Sequence, residues 1–440
     1  MYSDELKQKI DSQSVSVGIV GMGYVGLPLA LAFCDVGISV VGFDVDESKC
    51  VQINTGESYI KHLPSHLFET HVEAKRLDAT HDFSRLGEVD VIIICVPTPI
   101  DQHNVPDLKY IRATVQNILQ YGVQGQLIVL ESSTYPGTTR EELTSLLLEE
   151  GKQDGEHVFV AFSPEREDPS NPNFTTRSIP KTVGADHDIS RELACQLYDK
   201  IIDQVVPVSS TAVAEASKLT ENIFRAVNIA MVNELKVIYS QMGIDVWEVI
   251  EAASTKPFGY MPFYPGPGLG GHCIPIDPFY LTWKAKEYGL STRFIELAGE
   301  INTAMPAYVV DQLTKALSQK FEKSLFNSSI LLVGLAYKSN VDDDRESPAY
   351  KLMALLNAQG AHVDYSDVHI PSIKKTRKYP QYENLKSVDL TPDTIGQYDA
   401  VVIVTAHDDV DYAMLVKHAR LILDTRNVLS EFSGDHILKA

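Results

Sequence analysis

A glycine-rich turn between a predicted strand and a predicted helix constrains the fold of the first half of this chain. Residues 21–26 read GMGYVG, after an apolar strand over 15–20 and before a helix over 27–34. In such units, the helix N-terminus and the turn's backbone N–H groups bind a pyrophosphate. Asp44 ends the next predicted strand, where a carboxylate accepts a hydrogen bond from a ribose hydroxyl. The unit predicts NAD binding rather than NADP binding, because Asp44 would repel a 2′-phosphate.

Other cofactor contacts are expected near this turn and at the ends of later strands. Val96-Pro97-Thr98-Pro99 and Ser132-Ser133-Thr134 follow predicted strands, and open α/β sheets bind ligands at the carboxyl ends of their strands. Isolated threonines at such places are more often turn formers. The predicted cofactor-binding residues are Gly21, Gly23, Tyr24, Val25, Gly26, Asp44, Lys49, Thr98 and Thr134.

Short apolar runs alternate with amphipathic stretches in both halves of the chain. Strands are predicted over 15–20, 39–44, 91–96, 126–131 and 158–163, and again over 329–334, 362–367, 400–405 and 421–424. Near-continuous apolar strands are typical of parallel sheets that helices cover on both faces. Between the halves, residues 211–242 carry apolar residues at helical spacing, with Gly243 as the stop. Two further helices are expected from Asp245 and from about Ser291. This alternation of strands and helices predicts an α/β fold of two doubly wound, Rossmann-like domains joined by a central helical segment with one long helix.

The charge balance excludes polyanions as the main partners. The 440 residues include 38 Lys and Arg against 59 Asp and Glu, a formal net charge of −21. Such a protein repels nucleic acid and anionic membrane surfaces. No apolar run approaches the roughly 20 residues that a membrane span needs, and the polar N-terminal stretch lacks the apolar core of a signal peptide. We therefore expect a cytoplasmic protein without nucleic-acid or membrane partners.

One of the five cysteines has a sequence context that suits a nucleophile. The cysteines form no CxxC pair, which predicts reduced thiols and no metal site. Residues 265–272 before Cys273 read PGPGLGGH, and Pro275 and Asp277 mark a helix start after it. Cysteines near a helix N-terminus gain thiolate character, because that end favours negative charge. Cys273 is the predicted nucleophile, His272 is interpreted as a loop residue, and the other cysteines are interpreted as structural: Cys34, Cys50, Cys95 and Cys195.

Three polar residues on the predicted long helix share one face. Lys218, Asn222 and Arg225 are spaced i, i+4 and i+7 among small and apolar residues. A solvated polar stripe is the usual explanation for such spacing. A helix with these neighbours is expected to be largely buried, however, and buried Lys and Arg need partners. We interpret the three as cleft residues for a proton, an oxyanion and an anionic substrate.

Seven motifs, in order, resemble the UDP-glucose/GDP-mannose dehydrogenase family. They are GMGYVGLPLA, VPTP, SSTYPGTT, SPER, EASKLTENIFRAVNIA, GPGLGGHCIPIDP and GLAYKSNVDDDRESP, between about residues 15 and 426. The resemblance implies a homodimer that oxidises the C6 alcohol of a UDP-sugar to a carboxylate while two NAD are reduced. Within the family, the chain is most similar to the branch acting on UDP-N-acetylhexosamines for bacterial surface polysaccharides such as O-antigen or capsule. UDP-N-acetyl-D-glucosamine is the expected substrate.

The resemblance also assigns domains and residue roles. It implies an NAD-binding domain over 1–208, a helical dimerisation segment with catalytic residues over 209–318, and a UDP-sugar-binding domain over 319–440. Cys273 would hold the sugar covalently, and Lys218 would act as a base and, with Asn222, stabilise oxyanions. Asp277 and Glu165 would organise water and proton transfers. Substrate contacts are implied for Arg166, Glu167, Lys218, Asn222, Arg225, Gly268, Tyr337, Lys338 and Arg426, and an NAD pyrophosphate contact for Arg345.

Two departures from UDP-glucose dehydrogenases favour an acetamido sugar. Those enzymes typically carry a phenylalanine–leucine–alanine–glutamate run where this chain has residues 166–169, and a lysine where it has Ile276. The epimer stays open, so UDP-GalNAc, UDP-ManNAc and UDP-glucose remain alternatives. Two other classes also remain: a Rossmann dehydrogenase of the 6-phosphogluconate or 3-hydroxyacyl-CoA type, and a non-catalytic NAD-sensing protein.

Overall fold

The computed structural model describes residues 2–60, 63–101, 103–166, 174–271, 273–374, 376 and 378–440. The chain forms two compact units. The first unit comprises residues 1–221 and 279–291, and the second comprises residues 222–278 and 292–440. Each unit contains a sheet covered by helices, as the alternating sequence pattern predicts.

The first unit is built on a mostly parallel sheet. Its described strands are β1 (Ser16–Val20), β2 (Ser39–Phe43), β3 (Leu77–Thr80), β4 (Val91–Ile94), β5 (Leu127–Leu130), β6 (Phe159–Phe162), β7 (Lys181–Gly184) and β8 (Val205–Val208). They lie in the order β3-β2-β1-β4-β5-β6-β7-β8, and β6 and β7 are antiparallel. β1 pairs with β2 on one side and with β4 on the other, so the order of strands along the chain reverses direction at β1. This reversal of strand order is where doubly wound sheets bind nucleotides.

Helices and short helical turns flank this sheet. The helices are α1 (Tyr2–Asp11), α2 (Gly26–Asp35), α3 (Glu47–Asn54), α4 (His66–Glu73), α5 (Lys109–Tyr121), α6 (Ser145–Glu149) and α7 (Asp188–Tyr198). A 3₁₀ turn covers Phe83–Glu88, and a π-helical turn, Thr139–Thr144, precedes α6. All four residues of β4 and of β5 are buried, because these central strands are covered on both faces.

The long helix ends where the sequence predicts. It is α8 (Thr211–Met242), and Gly243 follows it with φ 71°, a left-handed conformation that glycine adopts without strain. Asp245 then caps α9 (Val246–Ser254) by accepting a hydrogen bond from the Trp247 N–H at 3.0 Å. The last two helices of this region are α10 (Asp277–Glu287) and α11 (Arg293–Phe321), and α11 begins close to the predicted start at Ser291.

The second unit contains a smaller parallel sheet. Its described strands are β9 (Ser329–Val333), β10 (His362–Ser366), β11 (Ala400–Ile403), β12 (Ile422–Asp424) and β13 (Ile437–Lys439), in the order β10-β9-β11-β12-β13. Its other helices are α12 (Pro348–Ala358), α13 (Pro392–Gly396) and α14 (Tyr412–His418), with a 3₁₀ turn at Pro380–Tyr382. The two sheets and the long helix confirm the predicted fold class. No helix among the described residues has the length and apolar character needed to cross a bilayer.

Candidate active site

The glycine turn of the first unit leaves one side open beside a carboxylate. Gly21 adopts φ 97°, and a Cβ there would lie 2.6 Å from the Cys95 carbonyl oxygen, so only glycine fits. A Cβ on Gly23 would meet no atom within 4 Å. Asp44 accepts hydrogen bonds from the Met22 N–H and from Lys49 Nζ, each at 3.0 Å. Tyr24 and Val25 are half-buried just before α2. The turn is therefore packed against Cys95 at Gly21 and leaves space at Gly23, as binding of a pyrophosphate requires.

Two threonines at the ends of neighbouring strands differ in their hydrogen bonding. The Thr98 hydroxyl, after β4, donates to the Ser133 carbonyl at 2.7 Å, and it therefore holds two loops together. The Thr134 side chain, after β5, is buried, and its oxygen has no hydrogen-bond partner among the described residues. A buried hydroxyl without a partner is costly. Of the two, Thr134 is therefore the one whose geometry calls for a ligand.

The segment after β6 is attached to the first turns of α8. Lys218 is buried, and its Nζ donates to the Glu165 carbonyl. Arg166 donates through Nη1 to the Pro180 carbonyl at 2.9 Å and through Nη2 to the Glu221 carboxylate. These contacts bring Glu165, Arg166 and Lys218 together in the first unit. Glu167, another predicted substrate contact, lies outside the described residues.

A buried ion pair beside Glu165 escaped the sequence analysis. Lys181, the first residue of β7, lies 3.1 Å from the carboxylate of Glu131, which directly follows β5. Burial opposes the charge of Lys181, but the carboxylates of Glu131 and Glu165 raise its pKa above the ordinary value. A lysine that stays protonated next to Glu165 contributes to the electrostatics of this site.

In the second unit, the glycine-rich loop before Cys273 lies against Tyr337. A Cβ on Gly271, whose φ is 81°, would come within 2.9 Å of the Tyr337 ring, and the Gly271 N–H donates to the Arg345 carbonyl at 3.1 Å. Gly268 lies against Pro306 and Pro348. The predicted substrate residue Tyr337 therefore packs against the loop that contains Gly268, another predicted substrate residue. Lys338, the next residue after Tyr337, is half-buried.

Cys273 lies in the turn that leads into α10, and Asp277 is the first residue of that helix. The Cys273 carbonyl accepts the N–H groups of Ile276 and Asp277 at 3.1 and 2.8 Å, so hydrogen bonds connect the cysteine to the helix start. Asp277 is buried and accepts a hydrogen bond from the buried amide of Asn222 at 2.6 Å. Three predicted catalytic residues thus share one connected arrangement within the second unit. His272 lies outside the described residues.

The other four thiols lack this setting. Burial raises the pKa of Cys34 to about 12 and that of Cys195 to about 11. Burial also raises the pKa of Cys50 and Cys95 above the ordinary range. Such thiols are protonated at neutral pH and react poorly. Cys273 differs from them because it lies in the turn that leads into α10, although Cys95 and Cys195 are half-exposed as it is.

The expectation that Arg225 is buried with Lys218 and Asn222 was wrong. Lys218 and Asn222 are buried, whereas Arg225 is exposed. The reason is that one side of α8 carries an uncovered apolar stripe, in which Phe224, Met231 and Ile238 recur at seven-residue spacing with 44–48% exposure. Helical spacing identifies the residues on one face but not which of them other elements cover.

The remaining predicted contacts belong to the second unit, whereas the glycine turn belongs to the first. Arg345 is exposed, and its guanidinium pairs with the Asp343 carboxylate at 2.6 Å. Arg426 is half-buried, and its Nε donates to the Val404 carbonyl at 2.8 Å. Sequence reasoning missed Asn233 and Lys236 of α8, both buried. Their signal was visible, since Asn222, Asn233 and Lys236 lie at helical spacing among apolar residues.

Comparisons with known proteins match the chain almost throughout. Three models of the UDP-glucose/GDP-mannose dehydrogenase family match it: the NAD binding domain over residues 15–202, the central domain over 212–304 and the UDP binding domain over 331–431. The UDP-N-acetyl-D-glucosamine 6-dehydrogenase of Pseudomonas aeruginosa is 33% identical over 434 residues, covering 96% of this chain and 99% of that protein.

Two solved structures are also similar over nearly their whole length. The UDP-D-ManNAc dehydrogenase of Pyrococcus horikoshii has a TM-score of 0.87 and 30% identity, covering 96% of this chain and 98% of that one. The NDP-N-acetyl-D-galactosaminuronic acid dehydrogenase of Methanosarcina mazei Go1 has a TM-score of 0.78 and 28% identity, with 99% and 97% covered.

Proposed function

Since this chain belongs to the UDP-glucose/GDP-mannose dehydrogenase family and is an NAD-dependent UDP-sugar dehydrogenase, we propose that it oxidises C6 of a UDP-N-acetylhexosamine. The first candidate is UDP-N-acetyl-D-glucosamine, and the product is the corresponding uronate. The substrate class is supported by the 33% identity to the Pseudomonas aeruginosa enzyme across 96% of the chain. A Pyrococcus horikoshii relative named UDP-N-acetyl-D-mannosamine dehydrogenase is also 33% identical, across 94% of the chain. The relatives named for N-acetylmannosamine and N-acetylgalactosaminuronic acid make the other epimers the alternatives.

The first oxidation requires a base for the C6 hydroxyl. The residues that would hold NAD are those of the Gly21–Gly26 turn with Asp44, Lys49, Thr98, Thr134 and Arg345, and the bound cofactor would supply the hydride acceptor for each of the two oxidations. Lys218 takes the hydroxyl proton, directly or through a water. It lies on the first-unit part of α8, fixed through Nζ to the Glu165 carbonyl. Its ammonium and the Asn222 amide stabilise the oxyanions that form at C6.

The second oxidation proceeds while the sugar C6 is covalently bonded to the sulfur of Cys273. The Cys273 thiolate adds to the C6 aldehyde, and a proton goes to oxygen, giving a thiohemiacetal. Loss of a hydride from C6 and a proton from the hydroxyl leaves a thioester. Water then adds, the C–S bond breaks, and the carboxylate and the Cys273 thiol are released. Asp277 and Glu165 organise the water and its proton. Support comes from the Asn222–Asp277 hydrogen bond next to the cysteine.

The proposed substrate contacts are Arg166, Glu167, Arg225, Gly268, Tyr337, Lys338 and Arg426. We also retain the proposed domains, with NAD bound by 1–208, catalytic residues and dimer contacts carried by 209–318, and the UDP-sugar bound by 319–440. A cytoplasmic location, where NAD and nucleotide sugars are available, completes the proposal.

A substrate panel tests this proposal. UDP-GlcNAc, UDP-GalNAc, UDP-ManNAc and UDP-glucose are each incubated with NAD, and NADH and sugar product are measured. We expect the highest kcat/KM with UDP-GlcNAc and two NADH for each uronate formed. A preference for UDP-glucose would contradict the acetamido proposal. One NADH per substrate with release of a carbonyl compound would contradict the four-electron reaction.

Replacing Asp44 by alanine is expected to raise the Kd for NAD about 10- to 100-fold, the effect of losing a hydrogen bond to a charged group. Titration calorimetry with NAD measures the change. Asp46→Ala is the matched control, because this exposed carboxylate lies in the same turn and caps α3 through the Ser48 N–H. If Asp44→Ala binds NAD as tightly as Asp46→Ala, Asp44 does not contact the ribose.

The apolar stripe of α8 supports the proposed homodimer. Large exposed apolar patches mark interaction surfaces, and this one comprises Phe224, Met231 and Ile238. Met231→Asp is expected to convert the dimer to a monomer, because an unpaired charge in an interface costs several kcal/mol. Light scattering after size exclusion measures the mass, with Leu148→Asp on α6, 58% exposed, as the control. A Met231→Asp protein that remains dimeric would remove this stripe from the interface.

A further inference from the structure

Lys236 carries a buried side-chain nitrogen in the second unit. The residue is 4% exposed, and Nζ has no hydrogen-bond partner among the described residues. The Tyr308 ring of α11 lies with its centroid 5.9 Å from Nζ. Burial and the positive charge of Arg426 lower the pKa of Lys236 to about 7, while Asp424 opposes them. An ammonium in such a place is stable only when something negative joins it.

The neighbouring groups do not supply enough negative charge. Arg426 follows β12, and desolvation lowers its pKa to about 10, with Asp424 acting in the opposite direction. Asp424 is buried, and its two oxygens accept hydrogen bonds from the N–H groups of Arg426 and Leu429, each at 2.8 Å. When Lys236 is protonated, two cations therefore share one carboxylate that is already hydrogen-bonded. The cluster of Lys236, Arg426 and Asp424 then has one more positive than negative charge, which a bound anion would balance.

The cluster is next to the loop that leads to Cys273. A Cβ on Gly266 would lie 2.6 Å from Nη1 of Arg426, so the loop backbone passes directly over the guanidinium. The Gly266 N–H donates to Asn233 Oδ1 at 3.0 Å. Asn233 precedes Lys236 by three residues and lies on the same face of α8. Lys236 and Arg426 therefore both lie near the beginning of the loop that leads to Cys273, inside one compact unit.

We propose that Lys236 binds the diphosphate of the UDP-sugar together with Arg426, an inference that rests on the proposed function. The uracil, the ribose and the acetamido sugar are uncharged at neutral pH, so the diphosphate is the part of the substrate that supplies the missing anion. Arg426 lies in the region matched by the family's UDP binding domain, whereas Lys236 comes from the long helix. A bound anion favours the charged lysine, so binding of UDP takes up a proton from solution near pH 8.

The experiment is calorimetric titration of the full-length protein with UDP at pH 8 in two buffers of different ionisation enthalpy. The wild-type protein is expected to take up a fraction of a proton per UDP bound. Lys236→Met is expected to abolish this uptake and to raise the Kd for UDP about 10- to 100-fold. Lys315→Met, at an exposed position of α11, is the control and should behave as the wild type. Unchanged NAD affinity and melting temperature show that the Lys236→Met protein is folded.

The possible failures are distinguishable. If Lys236→Met binds UDP like the wild type, or if wild-type binding takes up no proton, the diphosphate assignment is wrong while the proposed function stands. An increased KM for the UDP-sugar with unchanged UDP affinity would place Lys236 at the sugar and overturn the assignment. A wild-type protein that neither binds UDP nor oxidises any UDP-sugar would overturn the proposed function and this inference with it.

Discussion

Replacement of Cys273 by serine is expected to lower kcat for UDP-sugar oxidation by at least about 10³-fold, a loss typical of removing a catalytic nucleophile. An alkoxide at neutral pH is far scarcer than a thiolate, and a serine ester does not offer the same leaving group to water. NAD affinity is expected to stay near the wild-type value, because the proposed cofactor residues of the glycine turn belong to the first unit and Cys273 to the second. Steady-state NADH formation and calorimetry with NAD measure the two quantities.

Cys195→Ser is the matched control for this prediction. Cys195 is also a half-exposed residue, but burial of its thiol raises its pKa to about 11, so it is protonated at neutral pH. We expect this variant to keep wild-type kcat. If Cys273→Ser also kept wild-type kcat and still produced two NADH per substrate, the covalent step would be absent from the reaction.

Lys218→Ala is expected to lower kcat by about 10²- to 10⁴-fold, the usual contribution of a general base. Substrate affinity should change less, because Lys218 acts on charge that develops during the reaction. Lys218→Arg should not restore the rate, since a guanidinium does not lose its proton at accessible pH. Steady-state kinetics over a range of pH measures kcat and KM separately.

Chemical rescue separates catalysis from positioning in the Lys218 prediction. Lys218 also donates to the Glu165 carbonyl, so its removal loosens the segment after β6. A small primary amine in solution can replace a missing base but cannot restore that tether. We expect methylamine to increase kcat of Lys218→Ala in proportion to its concentration. A variant with a large loss of kcat and no response to amines would identify Lys218 as a positioning residue.

The parts of the fold that local sequence determines were predictable. The glycine turn, β1, β4 and the end of α8 at Met242 follow from patterns within a few residues, because backbone geometry and burial on both faces act locally. The strands β3, β7, β8 and β13 were missed, because their apolar runs are short or interrupted. β3 (LDAT) is short and partly polar, β7 begins with Lys181, and β8 contains Pro207. Lys181 fits a buried strand only because Glu131 neutralises it at 3.1 Å, which local pattern cannot reveal.

The candidate site was predictable as a set of residues but not as a set of contacts. Cys273, Asn222 and Asp277 were each identified from motif context, and the Asn222–Asp277 hydrogen bond joins residues 55 positions apart. Arg225 was misjudged because an i+7 spacing does not show which side of a helix other elements cover. Lys236 lies at helical spacing with Asn222, but its significance depends on Arg426, which lies far from it in the sequence.

The covalent attachment of the sugar to Cys273 is tested most directly by mass spectrometry of the enzyme during turnover. The protein is mixed with NAD and UDP-GlcNAc, quenched in acid within the first turnovers and digested. We predict that the peptide containing Cys273 carries a UDP-sugar-derived adduct that is absent from a sample without NAD. An unmodified Cys273 peptide, together with free C6 aldehyde accumulating in the supernatant, would contradict the mechanism.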